Sequence, residues 1–192
     1  MATRATKSGF AAEAQDKINS KYDAEFAASV MAWVDMRLKR GGQPGINTNG
    51  SMENVFETLG DGFILATLMN ILGENIKNVK REKMAFKKME LISQFLAACE
   101  RYGLPKTELF QTVDLYEKQN LNQVVQCIAA LGRKAHTKDG LGFGPKESER
   151  QSREWTDEQL KAGQNIIGLQ MGSNKGASQA GQNFGKARMI VD

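Results

Sequence analysis

The chain has 192 residues, 41% hydrophobic and 25% charged, with a net charge of +4. That length supports a domain with its own core, and the mild basic excess is too diffuse to argue for a nucleic-acid partner on charge alone. Two cysteines, Cys99 and Cys127, and a single histidine, His136, exclude a disulfide framework and a histidine-rich metal site.

Residues 1–10 carry Arg4 and Lys7 with no apolar run behind them, which does not fit a secretory signal. Residues 1–20 are read as an N-terminal extension. Over residues 22–40, Phe26, Val30, Trp33 and Val34 recur at i, i+4, i+7 and i+8, one stripe of an amphipathic helix. Gly41, Gly42 and Pro44 then stop it. Residues 52–72 predict a second helix, with Ser51 as N-cap. Its apolar side chains, from Val55 and Phe56 to Ile71 and Leu72, cover nearly the whole circumference, which places it at the centre of a core.

Residues 85–102 predict a third helix on the series Phe86, Met89, Ile92, Phe95, Cys99 and Tyr102, stopped by Gly103 and Pro105. A short apolar turn at Leu109 and Phe110 leads to a last helix carrying Leu121, Val124, Val125, Ile128 and Leu131. Cys99 and Cys127 lie in these apolar runs and are expected as buried reduced thiols. No segment alternates with strand periodicity, so residues 21–136 are expected to form an all-α domain. Nor does any apolar run approach the ~20 residues that span a bilayer. We expect a cytoplasmic protein with no membrane partner.

Composition shifts after Leu131. Residues 137–165 hold Gly140, Gly142, Gly144 and Pro145 and then charged sequence, and read as a linker. Thr156 and Gln159 have capping-box spacing there and predict one short helical turn over residues 155–160. Residues 166–192 have five glycines, the cations Lys175, Lys186 and Arg188, and no acid before Asp192. So few large apolar residues cannot bury a core, which predicts a flexible tail. Residues 133–192 hold 10 Lys/Arg against 7 Asp/Glu, so most of the net charge sits beyond the helices, open to an acidic partner.

Candidate chemistry is sparse. The glycines at 140, 142 and 144 follow no strand, and Gly185-Lys186 precedes Ala187 where a phosphate loop needs Ser or Thr. His136 has no ligand or nucleophile at useful spacing and reads as a solvated residue at a helix end. Asp114 and Glu117, three apart, suit capping or surface pairing. No enzyme activity, cofactor or metal is expected. Lys77, Lys80, Arg81, Lys83, Lys87 and Lys88 put six cations into twelve residues against one acid, Glu82. That run reads first as a solvated face and second as a contact for phosphate or an acidic protein. Phe86, its one aromatic, is assigned to the helical stripe, so no stacking platform for single-stranded nucleic acid is expected.

Three blocks resemble a calponin-homology domain of the kind found in calponins and transgelins. They are Trp33-Val34, the run from Leu59-Gly60-Asp61-Gly62-Phe63 to Leu68-Met69-Asn70, and the pair formed by residues 84–96 and 110–117. Residues 167–181, from Ile167-Gly168-Leu169-Gln170-Met171-Gly172 through Asn174-Lys175-Gly176-Ala177-Ser178-Gln179 to Gly181, resemble the calponin-like repeat. One domain with one repeat is similar to the transgelin/calponin-like group. After Gly181 that family often has a Pro-Gly-Thr-Arg-Arg-like run, whereas this chain has Asn183-Phe184-Gly185-Lys186-Ala187-Arg188, which keeps two cations.

The resemblance implies a cytoskeletal protein, of muscle or contractile cells, that binds F-actin and stabilises or cross-links it. It places the main contact in the repeat, at Gly168, Leu169, Gln170, Met171, Asn174, Lys175, Gly176, Ser178 and Gln179, with Lys186 and Arg188 beyond. Attraction between these cations and an acidic filament should be salt-sensitive, and ordering the segment on binding keeps the affinity near micromolar. The Lys77–Lys88 run is the second candidate contact. Ser178 is expected as a phosphorylation site, since about −2 of added charge would oppose an acidic partner. The alternative is a signalling scaffold that uses the helical domain as a protein-docking module.

Overall fold

The computed structural model describes residues 8–145 and 155–164 and divides the chain into a unit ending at Ser148 and a second from Glu149 to Asp192. Among the described residues every regular element is helical.

In the first unit, Asp23 opens α2 (Ala24–Arg40) by accepting from the N–H groups of Glu25 and Phe26 through its carboxylate. The helix ends at Gly41, and its Val30, Val34 and Leu38 are fully buried. Ser51 Oγ accepts from Asn54 N at 3.3 Å and starts α3 (Met52–Leu59).

The single helix expected over residues 52–72 is two. Gly62 sits in the left-handed region at φ +73°, and Asp61 Oδ1 accepts from Phe63 N at 3.0 Å, so the chain turns and restarts as α4 (Phe63–Ile71). A Cβ at residue 62 would lie 3.0–3.1 Å from Leu91 and Ile92, so glycine also lets α4 approach its neighbour. Hydrophobic periodicity ran through this break because both helices are apolar. The central role assigned to this stretch belongs to α4, whose Ile64, Leu65, Ala66, Leu68 and Met69 are all buried.

Helix α5 (Ala85–Tyr102) runs beside α4 in the same direction: Gly62 lies against Leu91, and Cys99 Sγ is 4.0 Å from Met69 Sδ. A one-turn 3-10 helix (Lys106–Glu108) and the short α6 (Thr112–Tyr116) lead to α7 (Leu121–Asp139). Phe95, Leu115, Ile128 and Leu131 from these elements complete one core with α2 and α4. Burial at this scale is the dominant stabilising term of the fold.

Two helices had no counterpart in the pattern. Helix α1 (Phe10–Asn19) buries no residue fully and docks by Gln15 Nε2, which donates to Gln119 O at 2.8 Å. Helix α6, only five residues long, is too short to show a stripe; Asp114 Oδ2 caps it by accepting from Gln111 N at 2.7 Å.

Residues 140–144, assigned to the linker by composition, fold back on α2 and α7. Gly140 at φ +73° ends α7. Trp33 Nε1 donates to Leu141 O at 3.0 Å, Phe143 N donates to Gly132 O at 3.0 Å, and the Phe143 ring meets Phe26 edge-on at 5.8 Å. His136 Nδ1 is 3.0 Å from Gly144 O, so the histidine is half-buried under this strap rather than solvated. Arg37, only 4% exposed, pairs with Asp139 at 2.6 Å and also reaches Leu141 O at 3.4 Å.

In the second unit, α8 (Asp157–Gln164) is opened by the predicted capping box. Thr156 Oγ1 accepts from Gln159 N at 3.4 Å and Gln159 Oε1 accepts from Thr156 N at 3.2 Å. The helix runs four residues beyond the single turn expected.

Candidate binding surface

Because α4 and α5 are parallel, the segment joining them must travel back along α4. Asn70 starts that return by bonding both polar groups of Ile76: its Oδ1 accepts from Ile76 N at 2.7 Å and its Nδ2 donates to Ile76 O at 3.1 Å. Ile76 is buried, Asn78 makes a left-handed kink at φ +58°, and Val79 is half-buried. At the far end the Arg81 guanidinium stands 5.1 Å from the Phe63 ring centre, and its Nε is 3.9 Å from Asp61 Oδ2.

This return forms one wall of a groove whose floor is the half-buried stripe Phe63, Thr67 and Ile71, at i, i+4 and i+8 of α4. The opposite wall is the α2–α3 loop, residues 43–46. Asp35, nearly buried, fixes that wall by accepting from Ile46 N at 2.8 Å while pairing with Lys39 at 2.7 Å. The hydrogen bond from Lys39, then that from Ile46, hold the Asp35 carboxyl below the usual carboxylate range despite its burial. Two adjoining hollows of 370 and 310 Å³ share Gln43, Phe63 and Thr67 and make up the groove.

Of the predicted basic residues, Arg81 lines the groove, Lys77, Lys80 and Lys83 lie on the returning segment, and Lys87 and Lys88 lie in the first turn of α5. Lys77, Lys80, Arg81, Lys83 and Lys87 are exposed and Lys88 is half-buried. Glu82, the lone acid among them, is taken up by Lys87 at 3.1 Å. Lys77, Lys80 and Lys83 make no ion pair among the described residues.

Phe86 corrects the sequence reading. It is 71% exposed and Met84 is 62% exposed, so neither belongs to the core stripe. The cause is the parallel packing: α4 begins level with Leu91, so the first turn of α5 projects beyond it. Helical spacing on one element carries no information about where its neighbour begins.

The other titratable candidates are structural. Asp114 is a cap, and Cys99 and Cys127 are buried free thiols. Hydrogen bonding to Cys127 and burial push the Cys99 thiol well up, out of the range of a reactive thiolate. No cluster of His, Cys, Asp and Glu suited to a metal ion occurs among the described residues, and no helix among them is long and apolar enough to cross a membrane. Gly168, Leu169, Gln170, Met171, Asn174, Lys175, Gly176, Ser178, Gln179, Lys186 and Arg188 lie outside the described residues.

Comparison with known proteins bears on both parts of the chain. Residues 26–137 match the calponin homology (CH) domain, and residues 167–190 match the calponin family repeat. Myophilin of Echinococcus granulosus is 41% identical over 191 residues, 96% of each chain. Two solved structures of calponin-homology domains from Schizosaccharomyces pombe, one of Rng2 and one of an IQGAP protein, share the fold. Each has a TM-score of 0.51 and covers 79% of this chain and 95% of its own, at 23% and 24% identity respectively.

Proposed function

The chain belongs to the calponin family, whose members are cytoskeletal and typically bind actin, and from that premise we propose that it binds actin filaments through its C-terminal repeat and stabilises or cross-links them in contractile cells. The observation that carries this reading is the repeat itself, matched at residues 167–190 in a chain that aligns almost end to end with Myophilin. Charge supports it. Residues 159–191 contain Lys161, Lys175, Lys186 and Arg188 and no acid, so an acidic polymer attracts them over a Debye length of ~8 Å at physiological salt. Ile167, Leu169 and Met171 supply apolar anchors among glycines that let the backbone approach closely.

Cosedimentation with filamentous actin across a salt series tests the reading. The full chain should pellet with about micromolar affinity and weaken as salt rises. A chain lacking residues 166–192 should stay in the supernatant; equal pelleting of the two would refute the assignment to the repeat. The exposed Met84 and Phe86 favour a second reading, in which the helical domain also docks signalling proteins.

A further inference from the structure

The groove along α4 joins a largely apolar floor to a wall that carries Lys77, Lys80, Arg81 and Lys83. We infer that it is a docking site for an acidic protein segment that inserts an aliphatic or aromatic anchor between residues 43–46 and Val79 while its carboxylates meet Lys80 and Lys83. This is independent of the actin reading and gives the docking reading a site and a partner chemistry.

Charge complementarity selects the occupant. The acids nearest the groove are already taken up: Asp35 by Lys39, Asp61 by Arg81 and Glu82 by Lys87. Lys77, Lys80 and Lys83, which make no ion pair among the described residues, therefore leave uncompensated positive charge that a partner's carboxylates can neutralise. The chain's own residues 166–192 are cationic and would be repelled, and a second copy of this face would set lysine against lysine. A lipid bilayer offers negative charge too, but a flat surface cannot enter hollows of 310–370 Å³ walled on both sides. A side chain from a peptide can.

The test uses the full chain and a short fluorescein-labelled synthetic peptide with glutamates flanking one leucine–phenylalanine pair. Fluorescence anisotropy should show saturable, salt-sensitive binding. Lys80→Glu with Lys83→Glu should weaken it about tenfold or more, and replacing the peptide's leucine and phenylalanine by alanine should do the same. Thr67→Trp, which fills the floor, should abolish it, and in the unaltered protein the amide resonances of Thr67 and Val79 should move when peptide is added. Equal binding of the alanine peptide would overturn the proposal, because no anchor would then be needed. Resonance shifts confined to another face would overturn this site while leaving protein docking intact. Binding to phosphatidylserine vesicles with none to the peptide would assign the surface to membranes instead. Actin cosedimentation of the Thr67→Trp variant, whose substitution lies in neither the repeat nor the Lys77–Lys88 run, should be retained, which keeps this outcome separate from that of the repeat.

Discussion

Removing the half-exposed partner of the Arg37–Asp139 pair should do more damage than removing the buried one. The Arg37 side chain is 4% exposed and Asp139 39% exposed, and the pair is 2.6 Å apart. In Asp139→Ala a guanidinium that cannot deprotonate stays buried, with Leu141 O at 3.4 Å as its remaining hydrogen-bond acceptor. Stranding a buried charge costs about 3–5 kcal/mol, and we take the lower value because Leu141 still accepts. In Arg37→Met the aliphatic stem keeps its packing, Asp139 returns to water, and Leu141 O keeps its bond from Trp33. Arg37 Nε is already buried without a partner, so the substitution also removes an existing penalty. The net loss should be about 1 kcal/mol. With a urea slope of about 2 kcal/mol per molar, the midpoints should fall by about 1.5 M for Asp139→Ala and about 0.5 M for Arg37→Met, read by far-ultraviolet circular dichroism. A larger fall for Arg37→Met would refute the reasoning.

Three other outcomes follow from the same physics. Gly62→Ala forces a Cβ onto a φ of +73° and to 3.0–3.1 Å from Leu91 and Ile92, and should cost about 2 kcal/mol in the same titration; an unchanged midpoint would contradict the geometry. Asp35 has a lowered folded-state pKa, so its stabilisation stands in full above the ordinary carboxylate range, about pH 4, and is lost as pH falls through the depressed value. Thermal unfolding should therefore show the protein weakening below about pH 4, and Asp35→Asn, less stable at pH 7, should show a shallower acid loss; parallel curves would remove Asp35 as a cause. Ser178→Glu should pellet less with actin than the unaltered chain at low salt, and equal pelleting would end the proposed phosphorylation switch.

The helices that sequence located best are those whose ends are chemically marked. Helix α5 stops at the predicted residue because Gly103, at φ +108°, closes it, and α2 ends at Gly41 as expected. The break at 60–62 was visible as two glycines flanking an aspartate, but the apolar rhythm continued across it and outweighed that signal. The basic run was legible as a charge pattern. Its groove was not, because the floor, the return wall and the α2–α3 wall come from three separate stretches that meet only once α4 and α5 lie parallel. Phe86 was misassigned for the same reason. The strap is hidden in the sequence because Gly142 reads as a linker residue and Phe143 as an isolated apolar one, yet a Cβ on Gly132 would meet Phe143 Cβ at 2.4 Å and a Cβ on Gly142 would meet His136 Cβ at 2.1 Å.

That strap also fixes a mechanical order. Any tension on the polypeptide beyond residue 145 reaches the helical body through residues 140–144, because no covalent route bypasses them. The Gly144–His136 contact, the Phe143–Gly132 hydrogen bond and the Phe143–Phe26 ring contact are loaded before the Leu141 carbonyl shared by Trp33 and Arg37, and the C-terminal end of α7 takes the pull along its backbone only after all of these have given way. A tug from that side would peel five residues before it strains the core.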